Sequence, residues 1–297
     1  MDVSAISSLP PEQFRAVLPP WLSGFIAGED AAARNLVRMQ ELVAGWSDAE
    51  CISVAHAFDG LGDDHRVYPA HPSLRGLSRH WCRDAVLDPV VEGIDHLRCA
   101  RVAGPTMILG NHLSYFDANA LDAALAWGGH TDLADRIVAA AGPKVYQDLF
   151  RLLAAACLNT LPVPQSATLD RGAQRIAPRE LARRALQGVQ AAGDAMQAGY
   201  VPLVYPEGSR TRTGRLAPFI RGVHRWLRAV EGTRVVPLAI SGTQTIMPIG
   251  DQRLSAGHVL VRFGAPLQVG PDGSSREVLD AVHAALADLL PVHLQPR

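Results

Sequence analysis

From about residue 100 onward the chain alternates short apolar runs with amphipathic segments, and that alternation restricts the fold more than any other feature. The runs are 106–109, 137–140, 201–205, 235–240 and 259–263. Between and after them, Leu181, Ala185, Leu186, Val189, Ala192 and Met196 share one helical stripe, and Leu279, Val282, Leu286 and Leu290 share another. Buried strands interleaved with one-sided helices predict an α/β fold, with a mixed, mostly parallel sheet flanked by helices. There is no internal repeat and no low-complexity tract.

The first part of the chain reads differently. Helices separated by Pro, Gly and Asp predict an N-terminal helical domain over 1–88, followed by the α/β domain over 89–297. Residues 30–46 place Ala33, Leu36, Val37, Val43 and Ala44 at helical spacing. Ser47, Asp48, Ala49 and Glu50 form a capping box that opens a second helix. A further helix is expected over 73–87, with a loop rich in Gly, Asp and Pro over 58–72.

A formal net charge of −1 gives the molecule no overall attraction to nucleic acid or acidic lipid, so anion binding must come from a local concentration of arginine. The four cysteines (Cys51, Cys82, Cys99, Cys157) form no C-x-x-C pair, which argues against zinc and redox motifs and fits a reducing cytosol. No segment approaches the roughly 18 apolar residues needed to span a bilayer, and no secretory leader is evident. The expected location is cytoplasmic, with peripheral membrane contact left open. Trp21, Leu22, Phe25 and Ile26 are the candidate surface for such contact, and burial against a neighbouring helix is the preferred reading of that patch. Lys144, the only lysine, lies in a Gly-Pro-Lys turn after an apolar run and is a candidate point charge near a ligand.

Two segments carry chemistry. Asn111-His112-Leu113-Ser114-Tyr115-Phe116-Asp117 follows one strand, and Tyr205-Pro206-Glu207-Gly208-Ser209-Arg210-Thr211-Arg212 follows another. In open α/β sheets, ligands collect at the carboxyl ends of parallel strands, which is where both segments fall. If Ser114 starts a helix with Asp117 in its first turn, the carboxylate reaches one ring nitrogen of His112 and leaves the other free to take a proton. Alone, an aspartate five residues after a histidine is a weak signal in a chain with 11 histidines. The second segment is strengthened by arginine density: Arg210, Arg212, Arg215, Arg221 and Arg225 follow closely, with Gly208, Gly214 and Gly222 permitting tight turns. Guanidinium forks suit phosphate and carboxylate. Glu207 among these cations is expected to be ionised, orienting an arginine or a substrate hydroxyl. Ser209 is not in a G-x-S-x-G elbow, Cys157 sits in an apolar run, and no nucleotide-binding glycine loop is present, so direct attack by an acceptor is preferred to a covalent intermediate.

With these residues in order, the chain resembles the glycerolipid acyltransferase family, which includes glycerol-3-phosphate and lysophosphatidic acid acyltransferases. The first segment resembles the N-H-x-x-x-x-D block and Pro206 to Arg212 the P-E-G-[ST]-R-[ST]-R block. Phe219-Ile220-Arg221-Gly222 resembles an F-K-x-G segment, and Val235-Val236-Pro237-Leu238 a V-[IV]-P-[IV] strand. The resemblance covers roughly residues 90–270, and the helical N-terminal region is similar in layout to the soluble plastid-type glycerol-3-phosphate enzymes.

The resemblance implies an O-acyltransferase that moves a fatty acyl group from a thioester, on CoA or acyl carrier protein, to a hydroxyl of glycerol-3-phosphate or a lysophospholipid-like acceptor. It implies His112 as general base and Asp117 as its orienting partner. Arg210 and Arg212 would bind acceptor phosphate, and Glu207, Gly208 and Ser209 would shape the pocket. It implies no metal, no cofactor beyond the acyl carrier, and no nucleic-acid partner. One departure stands out: the family's second block ends in a basic residue, and 158–165 here has none. Arg221, Arg171 or Lys144 would then supply the charge, or the acceptor carries no phosphate. A thioester hydrolase and a non-catalytic lipid- or phosphate-binding relative remain as alternatives.

Overall fold

The apolar runs become the strands of one sheet. The computed structural model describes residues 8–164, 177–268 and 274–296. Four helices come first: α1 (Pro11–Ser23), α2 (Glu29–Ala44), α3 (Asp48–His56) and α4 (Pro72–Trp81). They are followed by β1 (Val86–Glu92), α5 (Ile94–Ala103), β2 (Thr106–Gly110), α6 (Asp117–Trp127), the single turn α7 (Thr131–Ala134), β3 (Ile137–Ala141), α8 (Leu149–Ala156) and β4 (Asn159–Pro162). The chain continues through α9 (Pro178–Gln197), β5 (Val201–Val204), β6 (Arg234–Ser241), α10 (Thr243–Ile246), β7 (Gly257–Phe263), β8 (Leu267–Gln268) and α11 (Ser275–Leu289).

The strand order is β1-β7-β6-β2-β5-β3-β4, with β8 beside β6. Strands β6, β2, β5, β3 and β4 run parallel, whereas β7 and β8 run against β6. The sheet is therefore mixed and mostly parallel, with helices on both faces. Alternation along each strand sets the two layers: Ile108, Val236, Leu238 and Ile240 join one core with the N-terminal helices, α6 and α8, while Met107, Leu109, Val235 and Ala239 join the other with α11. In the α11 stripe, Leu279, Val282, Leu286 and Leu290 are all buried. The α9 stripe is narrower than its spacing predicts, because Leu186 is 63% exposed.

The helix expected over 73–87 stops at Trp81. A 3-10 turn over Cys82–Asp84 follows, and Val86 already belongs to β1, which pairs with β7. Pairing with β7 takes up Val86 to Glu92, and Pro89 lies at the register break between Leu87 and Val90, where a strand tolerates proline. The Ser47 box forms as read, with its hydroxyl accepting from the Glu50 N–H at 3.2 Å. The segment over 58–71 has no helix or extended strand, but Tyr68 exchanges two backbone hydrogen bonds with Thr160 and so covers part of the β4 edge.

The N-terminal helices share a core with the sheet. Trp81 is fully buried, donates its indole N–H to the Leu22 carbonyl at 2.9 Å, and meets Phe116 and Phe150 edge-on or tilted. Leu22 and Ile26 are buried, and Phe25 packs on Phe150 with centroids 4.7 Å apart, so most of the aromatic patch at 21–26 is core. Among the described residues no helix is long and apolar enough to cross a membrane.

Candidate active site

Strands β2, β5, β3 and β6 deliver their carboxyl ends to one edge of the sheet, and each is followed there by a polar segment. Asn111, immediately after β2, ties that segment to the neighbouring strand. Its side-chain amide donates to the Ile240 carbonyl at 2.9 Å, and its side-chain oxygen accepts from the Ile240 N–H at 2.8 Å. His112 is thereby placed at the mouth of the sheet.

The Asp117 carboxylate reaches Nδ1 of His112 at 2.8 Å, the contact that the spacing predicts. Asp117 is the first residue of α6 and only 1% exposed. The expected Ser114 cap does not form, because Phe116 occupies the cap position. Instead Asp117 accepts from the Leu113 and Ser114 N–H groups at 2.8 and 3.0 Å, and from the hydroxyl of Thr243, the first residue of α10. The Ser114 hydroxyl donates to the Met247 carbonyl at 3.1 Å. A carboxylate held from so many directions has one orientation, and it fixes the imidazole with Nδ1–H toward Asp117 and Nε2 as acceptor. The ring also stacks on Tyr205, with centroids 4.2 Å apart and planes 15° from parallel. The His112 side chain keeps 14% exposure, and no hydrogen bond engages Nε2 among the described residues.

The turn after β5 closes over the same point. Gly208 adopts φ +74°, a left-handed conformation suited to glycine, and its N–H bonds the Tyr205 carbonyl at 3.0 Å. Thr211 N–H bonds the His112 carbonyl at 2.9 Å, which fastens the two segments to each other. Glu207 acts from below. One carboxylate oxygen accepts from the His112 N–H and the other from the Ala217 N–H, both at 2.8 Å. Both oxygens are thus engaged by backbone N–H groups, where the sequence reading expected an arginine or a substrate hydroxyl. Burial lifts its carboxyl to about 7, the two backbone N–H bonds pull the other way, and the Asp117 charge adds to the rise.

The arginines of the turn do not form one cluster. Arg210 lies over the Tyr115 ring, its guanidinium carbon 3.8 Å from the centroid, three residues beyond His112. Arg215 donates to the Gln295 carbonyl at 3.0 Å, whereas Arg212 and Arg225 are exposed. Ser209 and Gly208 are exposed at the tip. Lys144 is exposed in the 3-10 turn Pro143–Val145 after β3. Arg221 begins the 3-10 segment Arg221–Arg228, but its side chain, like Arg171 and Gln165, lies outside what the structure describes. Burial pushes the Cys157 thiol up to about 12, in keeping with a core residue.

Thr243, Tyr205, Tyr115 and Arg151 belong to the site and carry no role in the sequence reading. The rule that ligands gather beyond parallel strand ends points to Thr243, which follows β6. Arg151 has a plainer signal, a lone charge inside the otherwise apolar run 149–158.

The acyltransferase family model matches residues 89–241, just over half of the chain, including both the 111–117 and the 205–212 segments. This chain belongs to the acyltransferase family. A 1-acyl-sn-glycerol-3-phosphate acyltransferase of Chlamydomonas reinhardtii is 31% identical over 113 residues, covering 38% of this chain and 33% of that protein. A chloroplastic 1-acyl-sn-glycerol-3-phosphate acyltransferase of Arabidopsis thaliana is 34% identical over 87 residues, covering 29% of this chain and 23% of that protein. The chain thus spans a third or less of the curated relatives it matches. The crystal structure of the 1-acyl-sn-glycerophosphate (LPA) acyltransferase PlsC from Thermotoga maritima superposes with a TM-score of 0.52 at 16% identity, covering 93% of this chain and 95% of that one, which shows a common fold.

Proposed function

We propose that this member of the acyltransferase family transfers a fatty acyl group from a thioester, on CoA or acyl carrier protein, to the free hydroxyl of a 1-acylglycerol-3-phosphate-like acceptor. The observation that carries the reading is the His112 imidazole, held at Nδ1 by a buried carboxylate, with Nε2 in no hydrogen bond among the described residues and with Arg210 on the Tyr115 ring that meets His112 edge-on. In the reaction, the acceptor oxygen forms a bond to the thioester carbonyl carbon as Nε2 takes its proton. The carbon–sulfur bond then breaks, and the imidazolium returns the proton to the leaving thiolate. Asp117 stabilises the imidazolium in between. The names of the relatives favour lysophosphatidic acid over glycerol-3-phosphate as acceptor.

The test is acyl transfer from labelled acyl-CoA and acyl carrier protein to a panel of lysophosphatidic acid, glycerol-3-phosphate and monoacylglycerol. The reading expects a labelled diacyl phosphate product, formed much faster from lysophosphatidic acid than product is formed from monoacylglycerol. Release of free fatty acid at the same rate with and without any acceptor would instead make the chain a thioester hydrolase.

A further inference from the structure

Two guanidiniums meet on one tyrosine ring next to His112. Tyr115 carries a guanidinium on its ring from each of two separate segments: Arg210 after β5 with its carbon 3.8 Å from the centroid, and Arg151 from α8 at 4.0 Å. The two cations are therefore separated by no more than the sum of those distances. Like charges this close repel, and among the described residues one carboxylate, Asp148 at 3.8 Å from Arg151 Nε, is within ion-pair distance of the two. Arg151 donates to the Lys144 carbonyl at 3.3 Å. Its nearest carboxylate, Asp148, is 3.8 Å away, beyond hydrogen-bond reach, and is committed to capping α8 and to Gln252. Arg210 has no ion pair among the described residues. Its pKa is lowered, chiefly by burial, with the charge of Arg151 adding to the effect.

Stacking on a tyrosine holds a guanidinium flat by its face and leaves its N–H edges free to donate. We infer that Arg151 and Arg210 form a two-guanidinium clamp for the phosphate monoester of the acceptor, with Tyr115 as the spacer that sets their separation. This rests on the reading of the chain as an acyltransferase with a phosphorylated acceptor. An anion accepting from both forks at about 2.8 Å spans such a gap and removes the repulsion. The Tyr115 ring also meets His112 edge-on, with centroids 6.2 Å apart, so the clamp lies one ring away from the base. A 1-acylglycerol-3-phosphate bears its free hydroxyl on the carbon next to the one carrying phosphate, which suits that short distance. Lys144 contributes its carbonyl to this arrangement and is otherwise exposed.

Arg151→Ala and Arg151→Lys are compared with the unmodified protein by steady-state kinetics on lysophosphatidic acid and on monoacylglycerol of the same chain, after thermal melting shows that both variants fold. Arg151→Ala is expected to raise KM for lysophosphatidic acid about 10- to 100-fold, as for loss of a charged hydrogen bond. The KM for the acyl donor and the rate with monoacylglycerol should stay unchanged, with partial recovery in Arg151→Lys. An equal effect on both acceptors, no effect, or an effect confined to the donor overturns the clamp. Calorimetric binding of glycerol-3-phosphate separates this from the functional reading. If the unmodified protein transfers no acyl group but binds glycerol-3-phosphate, and Arg151→Ala abolishes binding, the clamp stands and the acyl-transfer reading falls. Binding that is absent from the unmodified protein, or equal in Arg151→Ala, overturns the clamp.

Discussion

Glu207 shows how one residue can be conspicuous in sequence and still be misread. Its position in the Pro206 to Arg212 block marks it for the site, and the abundance of arginine around it predicts a charged group. In the fold Arg210 and Arg215 turn to other partners, and the carboxyl is left against two backbone N–H groups in a buried position. Its pKa of about 7, against an ordinary 4.5, makes a prediction with a definite sign. Between those values the folded protein holds a proton that the unfolded chain has lost, so this group's contribution is full below 4.5 and is lost as pH rises through 7. From about pH 5 to about pH 8 the unmodified protein should lose about 2.5 kcal/mol more stability than Glu207→Gln does, measured by urea unfolding. Equal losses would show that the carboxyl titrates as it does in water. The His112–Asp117 contact, by contrast, was legible because both residues lie on one short segment whose geometry a strand end and a helix start determine between them.

At the scale of elements, β2, β3, β5, β6 and β7 and helix α11 follow from periodicity, because each buries a continuous stripe; α3 follows from its Ser47 cap, and α2 and α9 form where the spacing places them although Val37 is 55% and Leu186 63% exposed. β1, β4 and β8 do not follow from periodicity: β1 and β4 are the edge strands, β8 spans two residues, and their pairing depends on residues far away in the chain. The contacts of α4 are equally hidden. Arg79 makes a two-pronged ion pair with Asp122 of α6 at 2.8 and 3.0 Å and a third bond to Asp135 at 2.7 Å. Arg75 lies 3.7 Å from Asp122 and donates to Asp135 at 3.2 Å. Asp122 is 5% exposed and Arg75 7%, so removing the carboxylate charge leaves two cations short of compensation. Asp122→Asn should cost about 3 kcal/mol in thermal or denaturant unfolding. A loss below about 1 kcal/mol would mean that these pairs behave as solvated surface ones.

In the molecule as a whole, the N-terminal helices and the sheet share a core built around Trp81 and Phe150, and Phe150 is the chain neighbour of Arg151. The layer that looks separate in sequence thus supports the helix carrying the second guanidinium. That link could not be read from the chain, because it depends on how α1 and α4 pack on α8. What the sequence did hold was the order of the blocks and their places at strand ends. The fold brings them together at one edge with His112 at the centre. The central claim is that His112 takes the acceptor proton, and the most direct measurement is acyl transfer from labelled acyl-CoA to lysophosphatidic acid by the purified protein and by His112→Ala, with melting curves recorded for both. The account predicts that the variant melts like the unmodified protein and that its turnover falls by at least about a thousandfold. A folded His112→Ala protein that forms product at a comparable rate would contradict it.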